Sequence, residues 1–207
     1  MIKPTSSSIK AILRLKYTAP RFAILEEVRN TTGRPKKRQE QQARYADMIA
    51  MSLWPSDGLE MIGFEIKVSR ADWLAELKDT KKAVAVQKFC DRWYLVTPND
   101  HIVQEGELPP NWGWLVISNL EVYEKVKAPV LTSEPITREF LAALLRNATT
   151  TNPDYLEVQS KIITAKIAEM PLPKTKSAIK IQKRQTLNSL VAEVRRLKKI
   201  IEDNKNH

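Results

Sequence analysis

The sequence predicts an α/β domain in which short strands alternate with helices, and three observations carry that reading. Residues 45–54 and 63–68 read as two strands, joined through the turn formers Pro55-Ser-Asp-Gly58. Residues 92–97, Arg-Trp-Tyr-Leu-Val-Thr, form an apolar run closed by Pro98-Asn-Asp, as expected of a buried strand. Around these strands, apolar residues recur at the three-to-four spacing of helices.

In chain order, residues 8–17 predict a helix from Ile9, Ile12, Leu13 and Tyr17, broken at Ala19-Pro20. Residues 21–30 predict a second helix with Ile24, Leu25 and Val28 as its apolar stripe. On that helix Glu27 would lie nearer the stripe than Glu26, so Glu27 is the better placed to edge into a site beside the core. Residues 31–44 have no apolar residue larger than Ala and Pro and predict a loop. In the second strand Phe64, Ile66 and Val68 alternate with Glu65 and Lys67. In an antiparallel pair Asp47, Glu65 and Lys67 would meet at one end of the sheet.

Ser69 with Asp72 three residues later predicts a helix start, with Trp73, Leu74 and Leu77 as the apolar face. Asp79-Thr80 can cap a further helix running through Ala83, Val84, Val86 and Phe89 to Cys90. Residues 101–103 suggest a short strand, and 114–118 and 121–126 a hairpin through Asn119. Trp112 and Trp114 are expected as core or sheet-edge aromatics, and Cys90 as core packing. Residues 137–145 predict a helix with Ile136, Phe140, Leu141, Leu144 and Leu145 as its stripe, and 154–170 another. After a linker at 171–176, Leu187, Leu190, Val194, Leu197 and Ile201 make a short heptad seam suited to dimerisation or packing. The expected organisation is a domain over 1–130, a helical extension over 131–170, and a basic helix over 171–207.

Net charge is +10, and its distribution says more than its total. Residues 172–207 hold ten Lys or Arg against three Asp or Glu, and residues 34–44 five against one. Such patches favour polyanions such as DNA or RNA. The candidate contacts are Arg34, Lys36, Lys37, Arg38, Arg44 and Arg70, with Lys183, Arg184, Arg195 and Arg196 in the tail. Two histidines argue against His-centred catalysis, five glycines give no phosphate-cradling loop, and one cysteine allows no internal disulfide. With no apolar run of membrane-spanning length and no apolar signal core at the N-terminus, no membrane role is expected.

Asp47 followed by Glu65-Ile-Lys67, in this order of strands and helices, resembles the PD-(D/E)xK nuclease superfamily, with Ala46 where the motif usually has Pro. Residues 46–96, notably Ser52-Leu-Trp-Pro-Ser-Asp-Gly58 and Gly63-Phe-Glu-Ile-Lys-Val-Ser-Arg-Ala-Asp-Trp73, further resemble small MmcB-like DNA-repair and phage proteins. The resemblance covers roughly residues 20–125. It implies a restriction-endonuclease-like mixed sheet flanked by helices, followed here by the helical C-terminal extension. It implies a metal-dependent DNA endonuclease or repair nuclease in the cytoplasm of a bacterial or phage-infected cell. Asp47 and Glu65 would bind Mg²⁺ or Mn²⁺, with the Ile66 carbonyl and Glu26 or Glu27 completing the site. Lys67 would orient or deprotonate the attacking water or neutralise developing charge, and Gln87 would help to fix the site. The competing readings are a non-catalytic DNA-binding module of the same fold, and an oligomeric interaction or inhibitor protein built on the heptad seam.

Overall fold

A computed structural model describes residues 4–32 and 44–148, with Ser160, Thr164 and Ala192 besides, all three helical. The chain divides into two units, Met1–Thr151 and Asn152–His207. Of the helix expected over 154–170 only Ser160 and Thr164 are described, and the linker and the heptad seam lie outside the described residues. So do Arg34, Lys36, Lys37, Arg38, Lys183, Arg184, Arg195 and Arg196.

The first unit begins with helix α1, Ser6–Lys16, where Thr5 and Ser8 form a reciprocal capping box. Six strands follow: β1 Phe22–Arg29, β2 Tyr45–Ser52, β3 Met61–Ile66, β4 Arg92–Thr97, β5 Gly113–Ser118 and β6 Glu121–Val126. Helices α2, Arg70–Leu77, and α3, Lys81–Gln87, connect β3 to β4, and α4, Arg138–Ala148, ends the unit. The strands pair in chain order in one mixed sheet. β3–β4 and β4–β5 are parallel, and the other three pairs are antiparallel.

Helices cover both faces. Tyr17 at the end of α1 packs its ring on Phe22 and Phe64, and Phe64 stacks on Tyr94. The opposite face carries Ile49, Met61, Trp93, Leu95 and Trp114, which join Trp73, Val86, Phe89, Phe140 and Leu144 of the other helices and their ends in one apolar cluster. β3 is consequently buried along its whole length, Glu65 included.

Most of the expected elements form. Ser69 caps α2 by accepting the Asp72 amide, Cys90 is fully buried, and Trp112 and Trp114 are core residues. β5 and β6 meet through Asn119 and Leu120, both at positive φ as a tight hairpin turn requires. Of the stripe on α4, Phe140 and Leu144 are buried, whereas Ile136, Leu141 and Leu145 are exposed.

Two expectations are overturned. Residues 21–30 are not a helix: β1 pairs with β2 from Phe22↔Ser52 to Arg29↔Tyr45, so Glu26 and Glu27 stand on a strand. Residues 101–103 are not a strand but turns, with Ile102 and Val103 plugged into the apolar cluster. Among the described residues no helix is long and apolar enough to cross a membrane.

Candidate functional site

Three acids line up across β1, β2 and β3. Asp47 stands one step before Met48, Glu65 one step after its partner Phe64, so the two carboxylates share one end of the β2–β3 ladder. Glu27 falls between the pairs Glu26↔Met48 and Val28↔Ala46, across from Asp47. Glu27 itself is not laddered and holds a φ of 49°, in the left-handed region. A bulky residue in that region on a strand is strained, and such strain gathers at functional positions.

Asp47 is partly buried, and its Oδ2 accepts the Ile66 amide at 2.7 Å. Glu65 Oε1 lies 2.6 Å from Lys67 Nζ, and Glu76 Oε2 of α2 lies 2.8 Å from the same nitrogen. These three side chains are only 10%, 16% and 12% exposed, so they form a charge cluster largely cut off from water. On the α1 side Lys10 pairs with Glu27 and, at 3.9 Å, with Glu26. Arg14 reaches Glu26 at 2.5 Å.

Burial raises the Asp47 carboxyl; the Ile66 amide, Lys67 and Lys10 pull against that, and Glu27 adds to it. Glu65 is pushed up to about 8, first by burial and then by the Asp47 charge, against the pull of Lys67. Burial works against the charge on Lys67, but Glu65 and Glu76 outweigh it and raise its pKa. At neutral pH Glu65 therefore keeps its proton unless further positive charge arrives, while Lys67 stays a cation.

The donor set fits a divalent cation on this ground: two oxygen-rich side chains held side by side, each discouraging the other's charge. Asp47 and Glu65 would hold it. Among the described residues no group of three or more His, Cys, Asp and Glu is gathered as a metal cage. Glu26 and Glu27, expected as further ligands, are engaged by α1 instead, and Glu27 is 59% exposed. Gln87 sits on α3, which packs on β2; its side chain is buried and its Nε2 has no hydrogen-bond partner.

Arg70 and the Arg44 backbone also make contacts within the fold. Arg70 pairs with Glu107 and donates to the Ile102 carbonyl at 2.8 Å, tying α2 to the 101–107 turns. The Arg44 amide donates to Asn30 Oδ1 at 3.1 Å where the chain re-enters the sheet. Lys10 and Glu76 were not singled out from the sequence. Lys10 carried a signal, a charge beside the apolar stripe of Ile9, Ile12 and Leu13. Glu76 carried none, since its partner is reached only when α2 folds back on β3.

The retained proton has a measurable consequence. Glu65 moves from an ordinary value of 4.5 in the unfolded chain to about 8 in the fold. Its contribution to stability is fully present below the unfolded value and is lost as pH rises through the folded one. Thermal unfolding between about pH 5 and pH 8 should show the wild-type melting temperature falling, and Glu65→Gln should flatten that fall. Equal slopes in the two proteins would remove Glu65 as the titrating group.

No protein-family model matches the chain, and no curated protein matches it. Among solved structures it is similar to the SPO1766 protein of unknown function from Silicibacter pomeroyi. The identity is 16% and the TM-score 0.47, over 84% of this chain and 100% of that one.

Proposed function

We propose that this chain is a metal-dependent deoxyribonuclease on a restriction-endonuclease-like sheet, hydrolysing phosphodiester bonds at Asp47, Glu65 and Lys67. One observation carries the reading: Asp47 and Glu65 are set side by side on adjacent strands with the Lys67 ammonium on Glu65. A fold gains nothing by burying two carboxyls next to each other, where burial and the Asp47 charge together force Glu65 to hold a proton at a free-energy cost. A chemical task explains the placement. The basic segments 34–44 and 172–207 supply the charge that a polyanionic substrate calls for.

A bound Mg²⁺ or Mn²⁺ would polarise the phosphoryl oxygen and lower the pKa of its water. The chain's own residues do the rest. The Ile66 amide fixes one oxygen of Asp47 and so orients that carboxylate. Lys67 has three ammonium protons, and two are directed to Glu65 and Glu76. The third is left for a phosphate oxygen. Its raised pKa suits it to steady negative charge in the transition state rather than to take a proton from water.

The test is incubation of the full chain with supercoiled and linear DNA in Mg²⁺, Mn²⁺ or EDTA, beside Asp47→Asn and Glu65→Gln. Cleavage should require the metal and fall about 10²–10³-fold in each variant. A wild-type chain that binds DNA and cleaves it under none of these conditions would overturn the reading and leave a binding module.

A further inference from the structure

The strongest feature outside the acid cluster is a cavity of about 230 Å³ between the end of β1 and the last turns of α4. Glu27, Arg29, Thr31, Thr32, Arg146 and Asn147 line it. Asn147 is fixed there: its Oδ1 accepts the Glu26 amide at 3.2 Å and its Nδ2 donates to the Glu26 carbonyl. That two-way clamp sets the distance between helix and strand and keeps the cavity open to one width. Two arginines and two threonines thus line one small volume. The single acid on its wall, Glu27, is already neutralised by Lys10. Arg29 lies over the Tyr45 ring, and its Nε is buried without a hydrogen-bond partner.

The cavity also adjoins the acid line, because Glu27 belongs to both. Guanidinium forks and hydroxyls match phosphate oxygens in charge and geometry. We propose that this cavity holds a phosphate of the DNA backbone away from the scissile bond, with Arg29, Arg146, Thr31 and Thr32 as its contacts. The identity of the strand rests on the nuclease reading; the affinity for phosphate does not. Holding the strand at a second point fixes which phosphodiester reaches Asp47 and Glu65, and so the subsite positions the substrate rather than reacting with it.

The experiment measures affinity for a fluorescein-labelled duplex of about 20 base pairs by anisotropy, in EDTA, from about 50 to 200 mM salt. Arg29→Gln and Arg146→Gln are compared with wild type and with Lys125→Gln, which removes one exposed charge from the far edge strand. Each of the first two should weaken binding several-fold and lower the slope of log K against log salt by about one; Lys125→Gln should not. Arg146 is exposed on α4, and melting temperatures check the fold of both variants. Slopes equal to wild type in both arginine variants overturn the proposal. Binding of inorganic phosphate that both variants lose, with DNA slopes unchanged, also overturns it, since the cavity would then serve small phosphate compounds. Cleavage is read separately in Mg²⁺, so a chain that never cleaves loses the nuclease reading while the slopes still decide the subsite.

Discussion

Lys67→Met is expected to reduce metal-dependent cleavage about 10³-fold and to destabilise the chain most at alkaline pH. The activity loss follows from the one cation that the described structure places against Glu65. Methionine keeps the length and apolar stem of lysine, so the effect isolates the ammonium. The stability loss follows from what is left behind. Glu65 and Glu76 would face each other in a pocket nearly closed to water, with no positive charge between them. Breaking such a group by removing one partner costs about 3 kcal/mol when the remaining partners are charged. Protonation caps that cost. As pH falls toward about 5 the Glu65 carboxyl is held protonated and the variant should approach wild type, whereas at about pH 8 the gap should be widest. Urea unfolding at both values measures it. A variant as stable as wild type at the higher pH would show that Lys67 is not the counter-ion assigned to it.

Gly63→Ala should destabilise the chain severely by a single added methyl group. A Cβ there would come within 2.2 and 2.3 Å of two ring carbons of Trp93 and 3.1 Å from Cys90 Sγ. Neither side can give way. Trp93 is fully buried and packs against Trp112 at a ring separation of 6.0 Å. Gly63 is laddered on both sides, to Ile49 and to Trp93. Overpacking of this kind costs about 3 kcal/mol or more. The urea midpoint should drop accordingly, and Trp93→Leu combined with Gly63→Ala should recover part of the loss by vacating the ring's space. An unchanged midpoint would mean that the close approach of strand and indole is not required.

How much of this was legible in the sequence depends on how many faces of each element are buried. α1, α2 and the β5–β6 hairpin showed themselves through caps and periodicity, because those signals are local. β1 did not. Its residues Ile24, Leu25 and Val28 have helical spacing, yet the strand is laddered to β2 at every residue but Glu27. Helices cover both faces of the sheet, so apolar residues are needed at consecutive positions and strict alternation is lost. The irregularity at Glu27 then shifts which residues face the cluster, since Leu25 and Val28 both pack against it. A strand with one residue in the left-handed region thus imitates a helix. The same logic explains the site. Asp47, Glu65 and Lys67 were legible because two of them fall on strands joined by one turn and Lys67 follows directly after the second. Lys10 and Glu76 come from helices on either side of the sheet, and no spacing in the sequence announces their meeting with the acids.

The sheet's strand order has a consequence for synthesis on the ribosome. Since β1 to β6 lie side by side in the order they are made, every new strand emerges to find its neighbour already present. Pairing is never delayed until a distant segment arrives, and such short-range growth favours fast assembly with little exposure of unpaired edges. The exception is α4, whose Asn147 must return to Glu26 across most of the unit. That helix closes the order of events: the first strand made is the last to be covered, and the acid line receives its final neighbour only when the unit is complete.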